Sequence, residues 1–132
     1  MTTKTKLTYD EFTNNLEQHI GSTKFYHLNL TSIIATEGIK YFADTCECYW
    51  LFDEICHETM LLWLKNKNPE QYNCLFAEIE VNKRHTVHIT VREDRDLPIV
   101  IDKKIHDVCE LIPVGKYMVY LINNTLLLPS EY

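Results

Sequence analysis

Residues 74–92 read CLFAEIEVNKRHTVHITVR, and their alternation decides the fold class. Successive side chains of a strand point to opposite faces, so Leu75, Ala77, Ile79 and Val81 share one side. Cys74, Phe76, Glu78 and Glu80 take the other. The polar run 82–85 (NKRH) supplies a turn, after which Val87, Ile89 and Val91 rejoin the apolar side. Thr86, His88, Thr90 and Arg92 then face outward. This is the pattern of an antiparallel hairpin with one face on a core and one toward water. A second turn, EDRDLP (93–98), leads into the apolar-rich run 99–105. After a connector holding Pro113 and Gly115, YMVYLI (117–122) and TLLL (125–128) flank Asn123-Asn124, a pair suited to a tight hairpin turn.

Upstream of Pro69 the apolar residues recur at helical spacing instead. Thr8-Tyr9-Asp10-Glu11 is a T-x-x-E capping box, with Leu7 and Phe12 placed as a hydrophobic staple. Phe12, Leu16 and Ile20 continue one stripe toward Gly21, a natural stop. FYHLNLTSIIA (25–35) reads as a short strand or a packed connector. Thr36 is the next N-cap, for a helix reaching about Thr45. A further helix, or a kinked continuation, runs from about Cys48 to Lys65. Helices followed by strands predict an α+β domain over 1–132: about three N-terminal helices on one face of an antiparallel sheet of about four to five strands. The helical part covers about 1–68 and a β-meander about 72–129.

Composition bounds the function. The 132 residues suffice for one core, and a formal net charge of −6 argues against direct nucleic-acid binding, which needs clustered Lys and Arg. The excess of acid suits a partner with a basic surface. No run reaches the roughly 18 apolar residues of a membrane span, and the opening MTTKTKLTYDEF lacks the apolar region of a secretory signal. Five cysteines, an odd number, are read as reduced thiols in a cytoplasmic protein.

The stretch DTCECYWLFDEICHETMLLWL (44–64) concentrates the candidate chemistry. On a helix Asp53, Glu54, His57 and Glu58 share a narrow polar face. Tyr49, Phe52, Cys56, Met60 and Trp63 form the apolar side, with Cys56 acting as a small hydrophobe. Cys46 and Cys48 lie about 200° apart on one helix and match no zinc-ligand spacing, so neither a metal nor a cofactor is expected. No phosphate loop or nucleophile elbow is present, and His85 and His88 point to opposite strand faces. His88 is expected to pair across its hairpin with Glu78 or Glu80. The last residues, NNTLLLPSEY, are expected to dock on the body, because Tyr132 is costly to leave loose.

Two stretches carry a resemblance. TEGIKYFADTCECYWLFDEI (36–55) resembles the T-[DE]-G-[IV]-K-Y-[LF]-A…A-Y-W-L-[LF]-D segment of a family of small uncharacterised bacterial proteins. VYLINNTLLLPSEY (119–132) resembles the ending of the same family. The matched residues are Thr36, Gly38, Lys40, Tyr41, Tyr49, Trp50, Asp53, Pro129, Ser130, Glu131 and Tyr132. The resemblance implies no known activity, but it does imply a frequent location on phages, plasmids and other mobile elements. Cys46-Glu47-Cys48 departs from the small residues usual before Tyr-Trp.

The expectation is therefore a non-enzymatic, cytosolic interaction protein with an acidic helical face: Glu47, Asp53, Glu54, His57 and Glu58. Its concrete form is a mobile-element-encoded, anti-CRISPR-like inhibitor of a host nucleic-acid-targeting defence complex. The alternative is a small enzyme or ligand-binding protein with a pocket around Tyr49, Trp50, Asp53 and His57.

Overall fold

The alternation of 74–92 becomes two paired strands in the computed structural model, which describes residues 7–20, 25–27, 33–65, 74–84, 86–94, 96–106 and 111–132. In chain order the elements are α1 (Tyr9–Glu17), β1 (Tyr26–His27), β2 (Ile34–Ala35), α2 (Glu37–Thr45), α3 (Tyr49–Lys65), β3 (Cys74–Val81), β4 (Val87–Arg92), β5 (Ile99–Ile105), β6 (Gly115–Ile122) and β7 (Thr125–Leu127). A 3-10 turn, Pro129–Glu131, follows. The α+β class stands, with helices mostly in the first half and strands mostly in the second.

The sheet itself differs from the expectation in three ways. Among the described residues it has seven strands in the order β1-β2-β7-β6-β3-β4-β5, because β1 and β2 from the helical half extend it. It is mixed, since β2 runs parallel to β7. Nor is the second half a simple meander: β6 returns beside β3 along the whole length of that strand, from Cys74↔Ile122 to Val81↔Gly115. The order β6-β3-β4-β5 is thus a Greek key, three hairpin-linked strands and a fourth that comes back to the first. Alternation assigns each strand a face but not a neighbour.

The face assignments hold. Leu75, Ala77, Ile79, Val81, Val87, Ile89, Val91, Val119 and Leu121 are buried beneath the helices. The opposite face carries Glu78, Glu80, His88, Thr90 and Lys104, and Tyr132 meets it at Tyr120. The turn at Asn123-Asn124 has positive φ at both residues, as a type I′ hairpin requires.

The core is organised around aromatic edges. The ring of Phe42 lies 4.9 Å from that of Phe12, 5.2 Å from Phe52 and 5.3 Å from Tyr117, all T-shaped. Tyr117 donates its hydroxyl to Pro113 O at 2.5 Å, and burial pushes its pKa far above the usual tyrosine value. α1 keeps its predicted capping box but ends at Glu17, so Ile20 leaves the stripe and is exposed. Tyr9 anchors the start of the helix: its ring lies where a Cβ on Gly115 would stand, 2.2 Å away, and its hydroxyl donates to Lys116 O. Gly115 has φ +156°, a backbone region that favours glycine.

The remaining anchor joins two distant segments. Because β2 and β7 run side by side in one direction, they deliver Thr36 and the turn Pro129–Glu131 to the same place. Glu131 accepts there from the Thr36 hydroxyl (2.5 Å), the Gly38 N–H (3.2 Å) and the Leu128 N–H (3.0 Å). Its carboxylate therefore sits at the N-terminus of α2, where unpaired N–H groups and the helix dipole favour negative charge. A Cβ on Gly38 would lie 2.4 Å from Glu131 Oε1 and 2.6 Å from Leu128 Cδ1. Ser130 donates to Leu16 O and ties in the end of α1. The last residues do dock, but through Ser130 and Glu131; Tyr132 is 81% exposed and touches Tyr120 edge-on.

Glu131→Ala is expected to lower stability by about 2–3 kcal/mol, because it leaves part-buried donors unpaired. Gly38→Ala displaces the same carboxylate, so the double variant should cost clearly less than the two single changes added together. Urea unfolding of the four proteins measures this, and strict additivity would refute the link.

Candidate functional site

The matched residues from Thr36 to Asp53 and the acidic stripe meet along α2, α3 and the joint between them. That joint explains the cysteines. Glu47 has φ 52°, the left-handed conformation that ends a helix, and Cys48 N donates to Ala43 O at 2.9 Å. This is a Schellman closure in which the following residue packs inward. Cys46 and Cys48 are both fully buried on either side of Glu47, and the Cys48 thiol donates to Phe42 O. The pair serves as small apolar flanks of a helix stop. Cys56 is buried in the core as predicted, and Cys74 is exposed. Among the described residues no three His, Cys, Asp or Glu side chains come together as metal ligands.

Lys40, Asp44 and Tyr49 form a connected group at the α2 end. Lys40 Nζ lies 2.7 Å from Asp44 Oδ2, and the Tyr49 hydroxyl donates to Asp44 Oδ1. The hydrogen bond to Asp44 raises the Lys40 pKa; burial, then Asp44, raises that of Tyr49. Lys40 also stands 5.2 Å over the Tyr26 ring. Tyr49, placed on the core side by helical spacing, is instead 42% exposed. It lies in the first turn of α3, where its hydroxyl reaches back to Asp44. Trp50 packs against the core from a half-buried position.

The polar stripe is built as expected on α3, but strand β5 reaches it. Lys103 faces inward beside Ile101 and Ile105, and its Nζ lies 2.5 Å from Glu54 Oε1 and 3.1 Å from Glu58 Oε1. Two stripe carboxylates thus hold one lysine, and their hydrogen bonds raise its pKa. Asp53 is half-buried, while Glu47 and His57 are exposed. Tyr49, Trp50, Asp53 and His57 line none of the depressions found beside α1, at the far end of α3 or on the open sheet face.

Spacing alone misses Lys103, because pairing β5 with β4 and packing α3 above it are long-range events. His88 is likewise redirected. Glu80 is its Cα partner across the hairpin, yet its Nε2 lies 2.7 Å from Asp102 Oδ1 on β5. Thr59, buried and bonded to Ile55 O, is a core residue that helical spacing leaves unremarked. No described helix is long and apolar enough to cross a membrane.

Two outcomes check this geometry. Glu47→Gly should hold or raise the unfolding midpoint, whereas Glu47→Val should cost about 1 kcal/mol at a left-handed position. Lys103 has a raised folded pKa, so its contribution is present below the unfolded value of about 10.4 and is lost as pH rises through the folded value. The stability gap between the native chain and Lys103→Met, followed in urea from neutral to strongly alkaline pH, should therefore close in that window.

The chain belongs to a family of unknown function, DUF6876, whose family model matches residues 10–132. Searches of curated proteins and of solved structures return no match.

Proposed function

We propose, taking membership of this family as the premise, that the protein is a non-enzymatic interaction module that docks on a partner with a basic surface. The observation that carries this reading is the run of carboxylates along α2, the joint and α3: Glu37, Asp44, Glu47, Asp53, Glu54 and Glu58, in a chain of net charge −6. Complementary potentials of this kind steer encounter and select partners. The Schellman joint fixes how α2 leads into α3, so the acidic groups are carried on rigid elements. Lys103 adds to this by holding Glu54 and Glu58 in place between strand and helix.

In its most concrete form the partner is a nucleic-acid-targeting defence complex. The protein would occupy the basic groove of that complex stoichiometrically, in competition with nucleic acid, as an inhibitor encoded on a mobile element. A groove that binds phosphates electrostatically offers clustered Lys and Arg, the complement of this surface.

Charge reversal tests the mechanism without disturbing the lysine clamp. Native protein and a Glu47→Lys/Asp53→Lys variant are used in parallel for affinity capture from a bacterial lysate, with unfolding midpoints compared. A partner retained by the native chain should be lost by the variant, and its affinity for the native chain should fall steeply with salt. Equal capture by both proteins would overturn the acidic-face mechanism.

A further inference from the structure

The open sheet face carries a second, oppositely charged feature. At the end nearest the β3–β4 turn a groove of about 550 Å³ is lined by Glu80, Asn82, Arg84, Thr86, His88, Lys104 and His106. Strand register explains why these residues converge. Glu80, His88 and Lys104 are aligned across β3, β4 and β5. Asn82 and Thr86 are joined by the bond from Asn82 N to Thr86 O, and the Thr86 hydroxyl lies 3.5 Å from His106 Nδ1. The turn is held in shape by Asn82 Oδ1, which accepts from Arg84 N and Thr86 N.

We propose that this groove binds a compact phosphate anion, a di- or triphosphate group. Arg84 and Lys104 supply permanent positive charge, and two imidazoles, a hydroxyl and an amide supply further polar contacts. Asp102, outside the groove, holds His88 by its Nε2. The one carboxylate in the lining, Glu80, stands 3.9 Å from Lys116 Nζ, a lysine that lies beyond the groove on β6. The groove is thus cationic within an acidic chain.

Its dimensions select a short ligand. Two rows of outward residues over three strands span about 7 by 10 Å, room for two or three phosphates. The next row toward the sheet centre carries Glu78 and Asp102, either side of Thr90. A polyanion running on along the face would meet these carboxylates. A nucleic-acid strand is therefore disfavoured, in keeping with the net charge. The inference is independent of the interaction reading, since it concerns the opposite side of the sheet from α2 and α3.

Sodium tripolyphosphate titrated into the full chain at low ionic strength, followed by calorimetry and backbone amide shifts, tests the proposal. Saturable binding is expected, with shifts concentrated at 82–88 and 104–106. Arg84→Ala/Lys104→Ala should weaken it at least about tenfold with an unchanged unfolding midpoint, while Arg84→Lys/Lys104→Arg retains most of it. Orthophosphate should bind more weakly than tripolyphosphate, because it offers one phosphate. Non-saturable titration, unchanged affinity in the alanine variant, or tighter binding of octathymidylate than of tripolyphosphate would each overturn the proposal.

Discussion

One carboxylate at the start of one helix ties the two ends of the fold together. Glu131 occupies the N-terminus of α2 and gathers the Thr36 hydroxyl, the Gly38 N–H and the Leu128 N–H. These partners lie more than ninety residues away except for Leu128, so the contact closes the chain on itself. Charge-assisted hydrogen bonds to otherwise unpaired helix donors are among the stronger polar contacts available. Their geometry follows from the parallel β2–β7 pair, which brings both segments out of the sheet at one point. Gly38 is then required for a steric reason, since a side chain would take the space of the carboxylate.

This contact gives physical meaning to many of the residues that carry the resemblance. Thr36, Gly38, Ser130 and Glu131 form the closure or tie α1 to it. Lys40 and Tyr49 meet at Asp44, and Tyr41 accepts from Asn15 on α1 while stacking on Phe12. These residues hold α1, α2 and the final turn together. The residues that carry the resemblance are thus largely packing and capping groups. Asp53, one of the matched residues and part of the acidic stripe, belongs to both descriptions.

The sheet carries different groupings of charge on its two faces, with carboxylates on both. Its covered face carries α3, where Lys103 bridges Glu54 and Glu58. Its open face carries Arg84, His88, Lys104 and His106 at one end and the aromatic pair Phe76–Tyr120 at the other. Neighbouring outward positions on three strands, such as Glu80, His88 and Lys104, are separated along the chain, so a locally mixed sequence yields a locally cationic groove. An overall charge of −6 describes the chain as a whole and conceals that local groove.

Local physics was legible in the residues. The T-x-x-E box started α1, Thr36 started α2, alternation set the inner and outer faces of β3 and β4, and Asn123-Asn124 made the hairpin turn. Helical spacing also sent Cys56 inward and grouped Asp53, Glu54, His57 and Glu58 on one side of α3. Each of these depends on neighbours within a few residues. What the tertiary structure decided was pairing: β6 beside β3, β2 parallel to β7, Lys103 beneath α3, His88 on Asp102 and Glu131 on α2. Periodicity tells a side chain which way to face, but the partner it finds there is chosen by the packing of the whole chain.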